Sequence, residues 1–249
     1  MTTGFNLANE IKKQIIEALK DQKEIFGDEL FTTQSSNRKT TVVTKIRDEN
    51  ADDISLFNNR ENWEKATSLE ELDSLINNCT KCPLHKSRTN FVFGVGNPNA
   101  DVMVVGEGPG ADEDAQGEPF VGRAGKLLNE ILKAIHFQRE EVYIANVVKS
   151  RPPGNRTPTA EEMEACVPYL KKQIELIKPK LILCLGLTAA QGLLKKRDSL
   201  TKLRGQIFDY LNAKVMVTYH PAALLRNPHW KKPCWEDVQK FRKMYDEMK

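Results

Sequence analysis

Residues Val102 to Gly125 read VMVVGEGPGADEDAQGEPFVGRAG. The segment opens with Val102, Met103, Val104 and Val105, a continuous apolar run of the kind a buried parallel strand requires, and the run stops at Gly106. Gly106, Gly108 and Gly110 follow with Pro109 between the last two, so a ligand can come close to the backbone and meet outward-pointing N–H groups. Glu107, Asp112, Glu113 and Asp114 sit within the same few residues, and Pro119-Phe120-Val121-Gly122 leads into a helix that opens near Ala124. Acids, an aromatic and a flexible loop therefore meet at the carboxyl end of a strand, where open α/β sheets bind ligands. The GEGPG spacing is not that of a dinucleotide fingerprint.

Outward from this stretch, apolar runs at 102–106, 142–148, 181–185 and 214–219 alternate with helical patterns near 124–136, 160–177, 187–195 and 235–247. Such alternation predicts right-handed crossovers and a parallel sheet covered by helices on both faces. Thr159 with Glu162, and Ser68 with Glu71, have capping-box spacing and mark helix starts. Nearer the amino end, Leu7, Ile11, Ile15 and Leu19 recur every four residues in an amphipathic helix over 6–24. Polar residues dominate from Thr32 to Asp53 and predict a linker. The division expected is a helical N-terminal extension over 1–60 and one domain over 61–249.

Hydrophobic residues make up 40% of the chain and charged ones 29%, which fits a soluble globular protein. No run reaches the length of a membrane span and the first residues lack a signal-peptide core, so a cytoplasmic location is expected. The net charge of +3 is unevenly spread. From Lys195 to Lys249 there are 13 Lys and Arg against 6 Asp and Glu, a net of +7 that leaves −4 for the remainder. A basic carboxyl-terminal segment suits contact with a polyanion, and a solvated surface carries similar runs.

Five cysteines, an odd number, argue for thiols or metal ligands over structural disulfides in such a protein. Cys79-Thr-Lys-Cys82 is a CxxC, and Cys166 lies in the helix after the second strand. Spacing alone leaves a redox pair, half a zinc site and no metal all open.

Four stretches together carry a family resemblance: GEGPGADEDAQGEPFVGRAGKLL (106–128), ANVVKSRPPGNR (145–156), KPKLILCLG (178–186) and HPAALLRNP (220–228). In this order they resemble the family 4, iron–sulfur, uracil-DNA glycosylases over roughly Cys79 to Tyr245. The resemblance implies a three-layer α/β/α sandwich with a central four-stranded parallel sheet, and hydrolysis of the N-glycosidic bond of uracil in DNA during base excision repair. It implies a 4Fe-4S cluster held by four Cys. Three positions match, at Cys79, Cys82 and Cys166, whereas Ser150 stands where the fourth is expected. A serine alkoxide is a harder and more basic ligand than a thiolate. Serine ligation, a three-iron form and recruitment of Cys184 or Cys234 are therefore all open, with Cys184 in a strand run and Cys234 the more exposed of the two.

The chemistry needs a pocket for an extruded nucleotide, a stacking surface, a reader for the base edge and stabilisation of the departing anion. By resemblance, Gly108 and Phe120 line the pocket, Phe120 stacks on uracil, and the Asn146 amide accepts from N3–H and donates to O4. His220 donates to O2 as charge builds on the leaving base. Other branches of the superfamily carry an Asp in the first motif where this chain has Gly108, so a carboxylate for water must lie elsewhere. Glu113 and Glu107 flank the loop and either could orient water or favour the cationic sugar; Glu113 is the one favoured for water or for excluding the thymine methyl, with Glu107 bracing the loop as its other reading. One of Leu224 and Leu225, read as a loop, is expected to wedge into the duplex. Arg226, Arg151 and Arg156, with Lys195, Lys196 and Lys202, are expected at phosphates. A monomer acting on uracil-containing DNA is the expected working form, and an inactive DNA-binding iron–sulfur protein of the same fold is the alternative.

Overall fold

The computed structural model describes residues 61–248; the helix expected over 6–24 and the linker over 32–53 lie outside the described residues. The first α-helix among the described residues, α1 (Leu69–Ile76), starts at Ser68, whose side chain accepts from the Glu71 N–H at 3.1 Å. Strands β1 (Val95–Gly96) and β2 (Val102–Gly106) follow, then helices α2 (Ala111–Gln116) and α3 (Arg123–Ala134). Next come β3 (Tyr143–Asn146), α4 (Ala160–Ile177), β4 (Leu181–Leu185), α5 (Leu187–Leu194) and α6 (Leu200–Leu203). The chain ends with β5 (Ile207–Tyr210), β6 (Ala213–Thr218), α7 (Pro221–Arg226) and α8 (Lys231–Glu247). No described helix is long and apolar enough to cross a membrane.

The sheet order is β1-β3-β2-β4-β6-β5. Its four central strands are the parallel sheet expected from the sequence, with Met103 opposite Tyr143 and Ile182, and Ile182 opposite Val215. Two antiparallel edges, β1 and β5, extend it to six strands. They escape a search for apolar runs because β1 has two residues and β5 alternates exposed with half-buried positions.

Alternation along the central strands separates two cores, as side chains on successive residues point to opposite faces. Met103, Val105, Ile182 and Cys184 pack with Leu72, Leu170 and Leu193 on one face; Val102, Val104, Leu183 and Leu185 pack with Leu128, Leu132 and Phe241 on the other. Each such fully buried side chain contributes roughly 1.5–3 kcal/mol. Three layers result, as expected.

Both spare thiols are accounted for by packing. Cys184 is fully buried within β4. Cys234, expected to be the more exposed, is 3% exposed inside α8, which begins four residues earlier than its apolar pattern and covers it. The segment after His220 is likewise the short helix α7 and not a loop, with Pro221 at its first position, where a missing N–H costs nothing.

Candidate active site

The carboxyl ends of β2 and β3 stay stitched past their last paired residues: Val147 N–H donates to the Gly106 carbonyl at 2.9 Å and Val148 N–H to the Glu107 carbonyl at 3.1 Å. Gly106 is the register partner of Asn146. A Cβ at position 106 would overlap Asn146 Oδ1 and lie 2.6 Å from the Phe120 ring, so glycine lets the amide and the ring meet. Asn146 is 2% exposed, and its Oδ1 is a buried oxygen with no hydrogen-bond partner among the described residues. An unpaired buried acceptor costs about 1–3 kcal/mol, a cost that a donor on a ligand would remove.

Phe120 adopts the left-handed conformation, φ 56°, which is strained for a bulky residue. Arg139 holds it there by donating to the Phe120 carbonyl at 3.3 Å and the Pro119 carbonyl at 2.6 Å. Gly125 is the second support, because a Cβ there would overlap the Phe120 carbonyl. The outcome is a ring 5.5 Å from the His220 imidazole and tilted 32° to it.

His220 caps α7, and its Nδ1 accepts from the Ala222 N–H at 3.1 Å. That bond assigns the ring proton of the neutral form to Nε2, leaving an N–H free to donate. Burial, with the Arg226 charge as a lesser cause, pushes the imidazole pKa down to about 4. The ring is therefore neutral at physiological pH.

Glu113 and Glu107 occupy different surroundings. The Glu113 carboxylate accepts from the N–H groups of Gly110 at 3.1 Å, Val121 at 2.9 Å and Gly122 at 3.0 Å. It ties the Gly-rich loop to the Phe120 loop, the bracing expected of Glu107. Burial raises the Glu107 carboxyl pKa, against lesser pulls from the Thr188 hydroxyl and the Arg226 charge. Both acids line a cleft of about 390 Å³ together with Gly108, Phe120, Asn146, His220, Arg156 and Arg226.

The remaining expected contacts sort by exposure. Leu224 is 2% exposed and belongs to the core, whereas Leu225 is 40% exposed. Arg156 pairs with Glu162 through two bonds of 2.8 and 2.7 Å, and Arg151 donates to Asn155 Oδ1 at 2.7 Å. Sequence reasoning missed Arg139, for which an isolated arginine gives no signal, and Arg88.

Cys79, Cys82, Cys166 and Ser150 line one small cavity, walled by Leu84, Phe91 and Val148. The Ser150 hydroxyl, 5% exposed, accepts from Arg88 Nη1 at 3.1 Å, and the same Nη1 reaches the Cys79 carbonyl at 2.7 Å. Among the described residues no three His, Cys, Asp or Glu side chains converge tightly enough to grip a single ion. A cluster, whose own irons and sulfides fill the space between ligands, takes donors spread around a cavity, as these four are.

Residues 93–242 match the model of the uracil DNA glycosylase superfamily. The chain is 49% identical over 178 residues to the type-4 uracil-DNA glycosylase of Thermotoga maritima, spanning 70% of this chain and 93% of that protein. The type-4 enzyme of Archaeoglobus fulgidus is 46% identical over 182 residues, 70% of this chain and 92% of its own. A type-5 uracil-DNA glycosylase of Pyrobaculum aerophilum is 33% identical over 188 residues, 61% of this chain and 83% of its own. With the motifs around Gly106, Asn146 and His220 gathered in one cleft, the chain belongs to the uracil-DNA glycosylase superfamily, in its type-4 branch.

Proposed function

We propose that this protein excises uracil from DNA, hydrolysing the bond between uracil N1 and the sugar C1′ and leaving an abasic site. The observation that carries this reading is the unpaired, buried Oδ1 of Asn146, which meets the Phe120 ring across Gly106. Uracil offers N3–H to that oxygen and O4 to the amide nitrogen; cytosine presents the opposite pattern at both atoms, leaving two groups unpaired.

The extruded base stacks on Phe120, and the His220 Nε2–H donates to O2. Negative charge collects on the base as the N1–C1′ bond breaks, and a neutral donor suffices because the uracil anion is a stable leaving group. Water adds to the cationic sugar at C1′ and loses its proton, while the base ends protonated. Glu107, at the cleft with a carboxyl pKa raised by burial, takes the water-orienting role in place of Glu113, which is committed to three backbone N–H groups. Leu225 takes the wedge role from buried Leu224, and Arg226, which lines the cleft, takes the phosphate.

The donor set around the second cavity suits an iron–sulfur cluster: Cys79, Cys82 and Cys166 would hold it, with Ser150 at the fourth corner. Such a cluster would cross-link residues 79–82 with 150 and 166 and so fix the loop that bears Arg151 and Arg156.

The test is incubation with labelled DNA carrying one uracil, beside a thymine control, followed by alkaline cleavage of abasic sites. Strand breaks confined to the uracil strand, and lost in Asn146→Ala, are the expected result. Intact strands despite salt-sensitive binding would remove the enzymatic reading.

A further inference from the structure

Tyr219 and His220 are consecutive, and their rings serve different surfaces. The His220 imidazole faces Phe120 in the cleft, whereas the Tyr219 ring carries Trp230 stacked on it, with centroids 5.1 Å apart and planes 18° from parallel. The Tyr219 ring is itself fixed. The Arg204 guanidinium lies 5.3 Å from its centroid and is held by two 3.1 Å bonds to Asp237 and one of 2.6 Å to the Pro233 carbonyl. Asp237 in turn accepts from the Thr218 hydroxyl at 2.8 Å.

A rigid aromatic stack is thus anchored between β6 and α8, yet its outer member, Trp230, is 38% exposed. Leu225 and Trp235, at 40% and 41%, are exposed beside it in sequence. Between Asp209 and Glu236 the chain carries basic charges alone, among them the exposed Arg226, Lys231 and Lys232; the exposed Glu236 is the first acid after them. Lys231 and Lys232 also occupy the first turn of α8 without an acid, against the helix dipole. Protein interfaces are depleted of lysine. Exposed aromatics among cations, in contrast, are what unpaired nucleic acid strands select, since every base has a π face and every linkage a charge.

We infer that Trp230 is a stacking platform for an unpaired nucleotide of the DNA strand beside the extruded base, with Arg226, Lys231 and Lys232 at the flanking phosphates. The inference rests on the DNA reading of the cleft and extends it to a neighbouring nucleotide. Tyr219 pre-orders the indole, so stacking a base on it freezes little further motion.

The full chain is compared with Trp230→Leu and Trp230→Phe by fluorescence anisotropy on a labelled, uracil-free oligo(dT) strand and on a duplex of equal length, with thermal melts as the folding control. Leucine keeps apolar bulk without a π face; phenylalanine keeps the face. Expected is a loss of about tenfold in single-strand affinity for Trp230→Leu, at most a few-fold for Trp230→Phe, and a smaller change on duplex. On single-stranded uracil substrate the loss falls on KM more than on kcat. Wild-type affinity in Trp230→Leu would overturn the inference, and so would equal losses in the two variants, which would mean that Trp230 only packs Tyr219. Absent excision by the wild-type chain, with Trp230-dependent strand binding retained, would overturn the glycosylase reading and leave this one standing.

Discussion

The Oδ1 of Asn146 occupies the space that a Cβ at position 106 would need. The two residues are register partners at the carboxyl ends of adjacent parallel strands, so the strand geometry fixes their distance and neither can retreat. Gly106→Ala is therefore expected to push the amide and the Phe120 ring apart. Overpacking of this kind costs about 1–3 kcal/mol of stability. A misplaced reading group costs more in rate, on the order of a hundredfold in kcat/KM. Steady-state kinetics on uracil DNA alongside thermal melts check this; an active Gly106→Ala protein would show that Asn146 does not need its present place.

The two acids of the first motif should separate in mutagenesis. Glu113→Gln leaves one acceptor oxygen where the carboxylate satisfied three N–H groups and places an amide N–H₂ against donors, so roughly 1–3 kcal/mol of stability is expected to be lost. Glu107→Gln should behave in the opposite way. A carboxyl whose folded pKa is raised is most favourable below its unfolded pKa and loses that advantage as pH rises through the folded one, so the neutral amide removes a cost at pH 7. Stability equal to or above wild type, with kcat reduced about a hundredfold, is the expected outcome. The reverse pattern, read by denaturant unfolding and single-turnover rates, would restore Glu113 as the water-orienting acid.

His220 sets a pH signature. Its folded pKa of about 4 lies below the ordinary 6.5, so an unfolded chain takes up this proton first as pH falls. The stability it confers is complete above about pH 6.5 and is lost progressively toward pH 4, on the order of 3 kcal/mol in all. Equilibrium unfolding across that window should show the loss, and His220→Gln should flatten it. Excision by the wild type should show no inflection at pH 6.5, because the donor stays neutral; an inflection there would mean that the imidazole titrates normally.

Much of this was legible in the sequence because the signals were local. The apolar runs of β2 and β4 are buried on both faces and cannot be mistaken for amphipathic strands. Asn146 was conspicuous as a polar residue ending a buried strand. What stayed hidden depends on partners far along the chain. Arg139 is an ordinary arginine until the fold brings it 3.3 Å from the Phe120 carbonyl. Glu107 and Glu113 look alike until the fold gives Glu113 three backbone N–H groups and Glu107 a buried place near the Thr188 hydroxyl and the Arg226 charge. Leu224 and Leu225 look alike until α7 turns one inward.

Ser150 stands at the corner of the second cavity where the family resemblance led a fourth cysteine to be expected. Ser150 offers a hydroxyl already engaged by Arg88 at 3.1 Å, and an alkoxide there is a poorer iron ligand than a thiolate. Cys79, Cys82 and Cys166 remain as three good donors around the same cavity. Protein purified in air is therefore expected to hold fewer than four irons per chain and to show the paramagnetic resonance of an oxidised three-iron cluster. Ser150→Cys should raise the iron content to four, silence that signal in the oxidised state and increase the melting temperature, since the fourth ligand completes the link between 79–82 and 150–166. A full complement of iron in the wild type, unchanged by the substitution, would mean that Ser150 ligates as an alkoxide beside the Arg88 cation. Loss of that fourth iron in Arg88→Met would then identify the guanidinium as what makes serine serve.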